Sequence, residues 1–461
     1  GSYFYSEWAE KNICTNVIRR KRQSITQRES PSEITRFSKS RLRYIIRLML
    51  DMKFVRENSE KVQKAAKDKG IEIDIAHILE IDSKYRELSV KVQNLREERN
   101  KAAKSQNIED GKRIKEELQE LEPQLEELEK KLNEELNKIP NPPLPQVPVG
   151  KNEKDNVELK KWEEPRKFDF QPKNHLEIGT NLGILDFETG AKVTGSQFYF
   201  LYGAGVLLEI ALVQYAMDLL YKEGFMPVIT PDLAKARYYL GTGYSPKGDE
   251  AQTYEIEGED LGLIATAEVT LAGKHADEAI PESSLPLKYI GYSHCFRKEG
   301  GAYGKYSKGL YRVHQFTKAE MFIYCSAEDS EKMHEHILEM EEKIYQGLGL
   351  PYRVLEMCTG DLGAMAARKF DIEAWMPSRD EYGEVTSTSN CTDYQARNLN
   401  IKVKRKDGKT EYVHMLNGTA IATSRTPLAI LENYQEPDGS VLIPKVLQKY
   451  MMGISKIEKK I

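Results

Sequence analysis

Two apolar seams in the first third of the chain constrain its fold more than any other feature. Ile78, Ile81, Tyr85, Leu88, Val92 and Leu95 recur in alternating steps of three and four, with Ala102 returning to the seam after Arg99 interrupts it. A polar stretch with turn chemistry follows, Ser105-Gln106-Asn107-Ile108-Glu109-Asp110-Gly111. The seam then resumes at Ile114, Leu118, Leu121, Leu125, Leu128, Leu132, Leu136 and Ile139. Two such helices joined by a short turn can bury their stripes only against each other, which predicts an antiparallel coiled-coil hairpin over about 78–139. Helices of ~25 residues would reach ~38 Å, long enough to project from a globular body. Pro123, inside the second helix, is expected to kink it. Residues 49–77 read as a short helical packing unit at the base. The tip region carries Arg96, Arg99, Lys101, Lys104, Lys112 and Arg113. From the hairpin alone, a phosphate-binding tip and a merely solvated face on a structural coiled coil both remain open.

Five prolines between 140 and 148 end this unit and make a stiff, extended connection, so the reading divides the chain at 139, 140–169 and 170–461. Residues 1–48 stand apart, with eleven Lys/Arg against four Asp/Glu and little apolar periodicity. They are expected to be an unstructured leader, appended or translated from upstream, or the remnant of an organellar targeting segment. The other 300 or so residues mix helical stretches such as 204–223 with strand-like pieces at 261–266, 320–325 and 353–357. No internal repeat is evident, and neither a P-loop nor a Rossmann glycine pattern occurs, so any nucleotide must be held in another way.

Composition narrows the classes. The 461 residues carry a formal net charge of -4, so nucleic-acid contact would need a local basic patch. The five cysteines are dispersed, without a C-x-x-C pair, which argues against a disulfide framework and against zinc, and for a reducing, cytoplasmic setting. No apolar run is read as approaching the ~20 residues of a bilayer span, so no membrane is expected.

Three clusters could carry chemistry. In the first, Cys295-Phe296-Arg297-Lys298-Glu299 and Tyr311-Arg312-Val313-His314-Gln315-Phe316 read as strands around a glycine-rich loop at 300–305. Alternation would put Arg297 with Glu299, and Arg312 with His314 and Phe316, on single faces. Two guanidiniums, a carboxylate and a ring suit ATP; an ordinary surface hairpin with ion pairs would look similar. The second is Glu384-Val385-Thr386-Ser387-Thr388-Ser389-Asn390, oxygen-rich as magnesium prefers, or simply a polar strand. The third runs from Asn417 to Thr426 into an apolar helix, where small residues permit close backbone approach and Arg425 could reach phosphates.

In this order the clusters resemble motifs 2 and 3 of class II aminoacyl-tRNA synthetases. Motif 1 resembles the helix 204–223 with Gly224-Phe225-Met226-Pro227-Val228-Ile229-Thr230-Pro231. More sharply, His175-Leu176-Glu177-Ile178-Gly179, Gly183-Ile184-Leu185-Asp186-Phe187, Thr266-Ala267-Glu268-Val269, Val313-His314-Gln315-Phe316, Gly360-Asp361-Leu362-Gly363-Ala364, Phe370-Asp371-Ile372-Glu373-Ala374-Trp375-Met376-Pro377 and Glu432-Asn433-Tyr434-Gln435 resemble the bacterial-type seryl-tRNA synthetase family over about 49–455.

The resemblance implies an α+β fold, an antiparallel catalytic sheet flanked by helices, with the hairpin as a tRNA-binding arm. It implies ATP-dependent activation of L-serine and transfer to a seryl tRNA read through its long variable arm, with the selenocysteine tRNA as a further family substrate. It implies a homodimer, and magnesium rather than zinc. By matching motif, Thr266, Ala267, Glu268, Glu320, Asn417 and Thr419 would form the serine pocket. Arg297 would touch both the serine carboxylate and the α-phosphate. Glu299 would take the adenine amino group, with Lys298 and Val313 beside it and Phe316 stacked on the ring. Arg312 and Arg425 would hold the terminal phosphates. Glu384 and Ser387, with Val385 and Thr386 between them, would serve magnesium and phosphate. Two rivals are a catalytically silent paralogue and a ligase charging a carrier protein. The first usually loses pocket residues, all present here; the second would lack the arm.

Overall fold

The computed structural model describes residues 52–244, 253–299 and 309–459. The leader at 1–48 and the whole of the glycine-rich loop at 300–305 lie outside the described residues.

The hairpin is built as its periodicity dictates. Two short helices, α1 (Met52–Glu57) and α2 (Ser59–Asp68), precede α3 (Ile75–Lys104) and α4 (Ile108–Leu136). Asp74 and Asn107 cap the two long helices, each accepting a backbone N–H of the first turn. The turn is only Ser105–Asn107, because Asn107 with Glu109 and Asp110 starts the helix earlier than Gly111 suggests. Val92, Leu95, Ile114 and Leu118 close the outer seam, and Ile78, Ile81, Leu132 and Leu136 the inner one. Lys91–Glu117 and Arg96–Glu122 pairs at 3.1 and 2.8 Å cross between the helices. The expected kink at Pro123 does not interrupt α4; the ring faces solvent and the helix continues through it to Leu136.

The catalytic body is an eight-stranded sheet. Its strands are β1 (Val157–Trp162), β2 (Met226–Ile229), β3 (Leu287–Phe296), β4 (Gln315–Cys325), β5 (Tyr352–Glu356), β6 (Arg368–Met376), β7 (Glu381–Asn390) and β8 (His414–Ala422). They lie in the order β1-β5-β6-β7-β8-β4-β3-β2, antiparallel except for the parallel β2–β3 edge. The sheet therefore begins upstream of 170: the segment read as connection supplies edge strand β1. The prolines before it are not a free spacer either, since Asn141 and Val147 are buried.

Strand alternation divides β4 between two cores. Ala319, Met321, Ile323 and Cys325 join the main core with helices α5 (Ala204–Lys222) and α6 (Ser330–Leu348). Phe316, Lys318, Glu320, Phe322 and Tyr324 point to the opposite face, where Phe322 and Tyr324 pack on Ala267 and Leu271. Helix α5 corrects one expectation. It is long and apolar enough to cross a bilayer, yet Leu208, Ala211, Leu212, Tyr215, Ala216 and Leu220 are buried against the sheet.

Contact between α6 and β8 leaves no room at Gly418, where an added Cβ would lie 2.3 Å from Ile337 Cγ2 and 2.8 Å from Glu341 Oε1. Gly418→Ala should therefore push β8 off the helix and cost about 1–3 kcal/mol. The expected result is a lower thermal unfolding midpoint; an unchanged midpoint would refute tight packing there.

Candidate active site

On the face opposite α6, a cleft of about 270 Å³ opens over β4, β7 and β8. Its floor follows from register. A bulge between Ala319 and Glu320 sets Glu320 opposite Thr419 and Phe322 opposite Asn417, so Lys318, Glu320, Asn417 and Thr419 all face the cleft. A second bulge matters more. β6 pairs Ile372 with Thr386 and then Glu373 with Glu384, leaving Val385 extra. Plain alternation would send Glu384 and Ser387 to opposite faces; the bulge puts both, with Ser389, on the cleft side.

The deep end is a compensated charge cluster. Lys318 Nζ lies 2.6 Å from Glu320 Oε2, and Thr419 Oγ1 donates to the same oxygen at 3.1 Å. All three side chains are buried. Glu268, at the start of α7 (Glu268–Gly273), accepts from Gln395 at 2.7 Å, Asn417 at 2.9 Å and Tyr244 at 3.0 Å. Burial, then the neighbouring Glu320 carboxylate, pushes the Glu268 carboxyl up to about 7, against the lowering effects of Gln395 and Lys318.

At the other end the chain leaves β3 at Phe296, so Arg297, Lys298 and Glu299 lie past the strand and Glu299 has φ +48°. β4 likewise begins only at Gln315. The single-face argument for these residues therefore fails, although Arg297, Glu299, Val313 and Phe316 do line the cleft. His314 turns away, its Nδ1 2.8 Å from the Arg297 carbonyl. Arg312 donates to Glu299 at 3.0 Å and is not in the lining. Arg297 covers the Phe316 ring at 5.2 Å, and Arg425 covers Tyr311 at 4.8 Å while pairing with Glu384 at 2.7 Å. Burial would raise the Glu384 carboxyl, but Arg425, Lys369 and Arg297 outweigh it and hold it below its ordinary value.

Besides Arg312, three expected lining residues sit elsewhere. Thr266 and Ala267 are fully buried behind the cleft; the Thr266 hydroxyl accepts the Glu268 N–H. Lys298 lies over the Tyr254 ring. Val385 and Thr386 do line it, the Thr386 hydroxyl donating to the Thr419 carbonyl. Sequence reasoning missed Lys318, Tyr244, Lys369 and Gln395. Lys318 was accessible to it, two residues before Glu320 on one strand; Tyr244 and Gln395 come from distant segments and carry no local signal. The six arm cations are exposed, with Arg96 tied to Glu122 and Arg113 3.6 Å from Asp110.

A magnesium ion accompanying a triphosphate needs one or two carboxylates, with water and phosphate completing the shell. The ionised Glu384 beside the Ser387 hydroxyl fits that need. Among the described residues no cluster of three metal-ligating side chains occurs.

Residues 252–434 match the family described as tRNA synthetase class II core domain (G, H, P, S and T), and residues 49–143 match the Seryl-tRNA synthetase N-terminal domain. The serine–tRNA ligase of Dictyoglomus turgidum is 54% identical over 425 residues, covering 89% of this chain and 100% of its own. That of Treponema denticola is 51% identical over 415 residues, covering 87% and 98%. Among solved structures, seryl-tRNA synthetase from Pyrococcus horikoshii complexed with ATP has a TM-score of 0.81 at 42% identity, covering 90% of this chain and 100% of that one. The cytoplasmic serine–tRNA ligase of Naegleria fowleri in complex with AMP has a TM-score of 0.77 at 37% identity over the same shares.

The Glu268 environment yields a pH test. A carboxyl raised to about 7 in the fold binds a proton that the unfolded chain, with an ordinary value of 4.5, has released. Its contribution to stability is therefore lost as pH rises from 4.5 through about 7. Glu268→Gln keeps the shape and removes the titration. Its stability relative to wild type should grow across that window, by about 3 kcal/mol at most. Parallel stability–pH curves would show that the carboxyl is not raised.

Proposed function

The chain belongs to the seryl-tRNA synthetase family, and from that premise we propose how its cleft performs the family's reaction. It is a serine–tRNA ligase, activating L-serine with ATP and transferring it to tRNA. The observation that carries the residue assignment is the buried set of Glu268, Lys318, Glu320 and Thr419 next to Arg297, because it offers complementary charge to a small zwitterion bearing a hydroxyl.

In this reading Glu320, with Glu268 nearby, faces the serine ammonium, and Thr419 bonds the serine hydroxyl while Asn417 lines the pocket. Arg297 takes the serine carboxylate on one side and the α-phosphate on the other. Thr266 and Ala267 act from behind, by setting Glu268. Adenine lies against Phe316, with its amino group toward Glu299 and its edge near Val313 and Lys298. Arg312 and Arg425 receive the terminal phosphates. Glu384 and Ser387 would hold the magnesium, which would shield phosphate charge. A serine carboxylate oxygen attacks the α-phosphorus, forming the acyl–phosphate bond as the α–β bridge breaks and pyrophosphate leaves. Transfer to the terminal adenosine of the tRNA then releases AMP. No side chain forms a covalent intermediate; positioning and fixed positive charge lower the barrier. Alanine is disfavoured because it leaves buried polar groups unpaired.

The exposed cations Arg96, Arg99, Lys101, Lys104, Lys112 and Arg113 suit backbone recognition of a long variable arm by shape, in tRNA(Ser) and in a selenocysteine tRNA where one exists. An apolar groove of about 520 Å³ beside edge strand β2, lined by Ile210, Val213, Met217, Val228 and Ile229, supports a homodimer. Ile229 and Met226 are 82% and 60% exposed, a surface that water does not favour leaving open. The setting that fits this activity is the cytoplasm. The comparisons favour the ligase over a catalytically silent paralogue.

Serine-dependent pyrophosphate exchange and charging of a transcribed seryl tRNA, with its variable arm intact or deleted, test the reading. Charging should need the arm while exchange does not. Exchange without charging of either transcript would sink the tRNA assignment; no exchange would sink the pocket assignment. Ile229→Asp should shift the species measured by light scattering from dimer to monomer, and an unaltered mass would count against this face as the interface.

A further inference from the structure

The cleft wall formed by Leu362, Gly363, Ala364, Met365 and Ala366 poses an accounting problem, because a loop at a buried site must satisfy its own backbone. Its partners come from outside the sheet. Lys69, just past the end of α2 in the arm domain, donates through Nζ to the carbonyls of Gly363 at 2.9 Å, Ala364 at 3.3 Å and Ala366 at 2.6 Å. Asn141 Nδ2 donates to the Met365 carbonyl at 2.9 Å, and the Asn141 N–H donates to the Ala364 carbonyl at 2.8 Å. Upstream, Thr359 and Gly360 donate to Pro148 and Gly150 at 2.9 and 3.0 Å. Lys69 is only 7% exposed. Lysine is seldom buried so far, and burial pushes the Lys69 amine down to about 7; in place of a carboxylate it meets three carbonyls.

Met365 carries the arrangement inward. Its side chain packs against the core at the arm's base, with Val62, Ile78, Ile139 and Tyr394. Its sulfur lies 3.7 Å from Gln395 Nε2, which donates to Glu268. A Cβ added at Gly243 would lie 3.3 Å from Met365 Cβ, so the wall also lies against the turn leading into Tyr244, the hydroxyl donor to Glu268. Neither Lys69 nor Asn141 touches the cleft.

We propose that Lys69 is a positioning residue for the serine pocket: it pins the 363–366 wall, so that Met365 keeps Gln395 and Tyr244 aimed at Glu268. The proposal rests on the serine-pocket reading given above. It concerns serine alone, because the nucleotide end of the cleft is built from Arg297, Glu299, Phe316 and Arg425, on other segments.

The test uses the full chain with Lys69→Met, which keeps the stem and removes every donor, and Lys69→Gln, which keeps two. Pyrophosphate exchange is measured with serine varied at saturating ATP and with ATP varied at saturating serine, alongside thermal unfolding. The expected result is a serine KM raised about tenfold or more in Lys69→Met and less in Lys69→Gln, with the ATP KM within about twofold of wild type. A purely structural role would lower the unfolding midpoint and the active fraction and leave both KM values in place; that outcome overturns the proposal, as does a parallel rise in both. If Lys69→Met does not fold, Lys69→Gln decides by the same split. Wild-type protein without serine-dependent exchange would instead remove the pocket reading, and the proposal with it.

Discussion

Lys318 and Glu320 sit two residues apart on a strand buried on both faces, their charged atoms 2.6 Å apart. Charges so placed are tolerable only while each meets its counterpart, since an unpaired buried ion costs several kcal/mol. Everything around the cleft serves that geometry. The bulge in β4–β8 brings Thr419 opposite Glu320, and the absent side chain at Gly418 lets α6 press directly on β8. Glu268 shows the other outcome. Its hydrogen-bond donors are neutral, Gln395, Asn417 and Tyr244, and they do not offset burial and the neighbouring Glu320 carboxylate, which raise its carboxyl. The deep end of the pocket thus holds a fixed ion pair beside a carboxyl without a cationic partner of its own.

What the sequence made legible was whatever rests on period. The heptads specified the hairpin because coiled-coil packing is one-dimensional and local, and the structure differs in a shorter turn, with α4 running on through Pro123. Alternation identified β4 but failed beside it. Arg297 and Glu299 share the cleft because the chain has left the strand and turned through a positive φ, not because they are two residues apart. Glu384 and Ser387 share it through a bulge that no local residue preference announces. Tyr244 and Gln395 meet Glu268 across 24 and 127 residues of sequence, a distance over which no pattern speaks.

The family-like stretches are mostly scaffolding. His175 and Glu432, from two separate signature segments, meet at 2.9 Å; Glu432 also accepts the His175 and Ser378 N–H groups, and His175 Nε2 accepts the Leu310 N–H. That chain of bonds fixes the turn carrying Tyr311, on whose ring Arg425 rests. The residues that hold the cleft-facing side chains are thus as specific as those side chains themselves, which is why a sequence likeness could be sharp while Thr266 and Ala267 lie behind the cleft.

The arm follows a different logic. Its apolar seam joins the helices along their length, and of the tip cations Arg96 bonds across it, to Glu122. Only two of the six are engaged with carboxylates, Arg96 and Arg113. A basic tip on a chain of net charge -4 is a local field, short in range at physiological salt, and it acts only on what reaches it. The base is the reverse: apolar residues of α2, α3 and α4 share one core with Tyr394, next to the Glu268 partner Gln395, and with Met365 of the cleft wall. The base of the arm thus shares its packing with the cleft wall, while the outer seam packs only on itself.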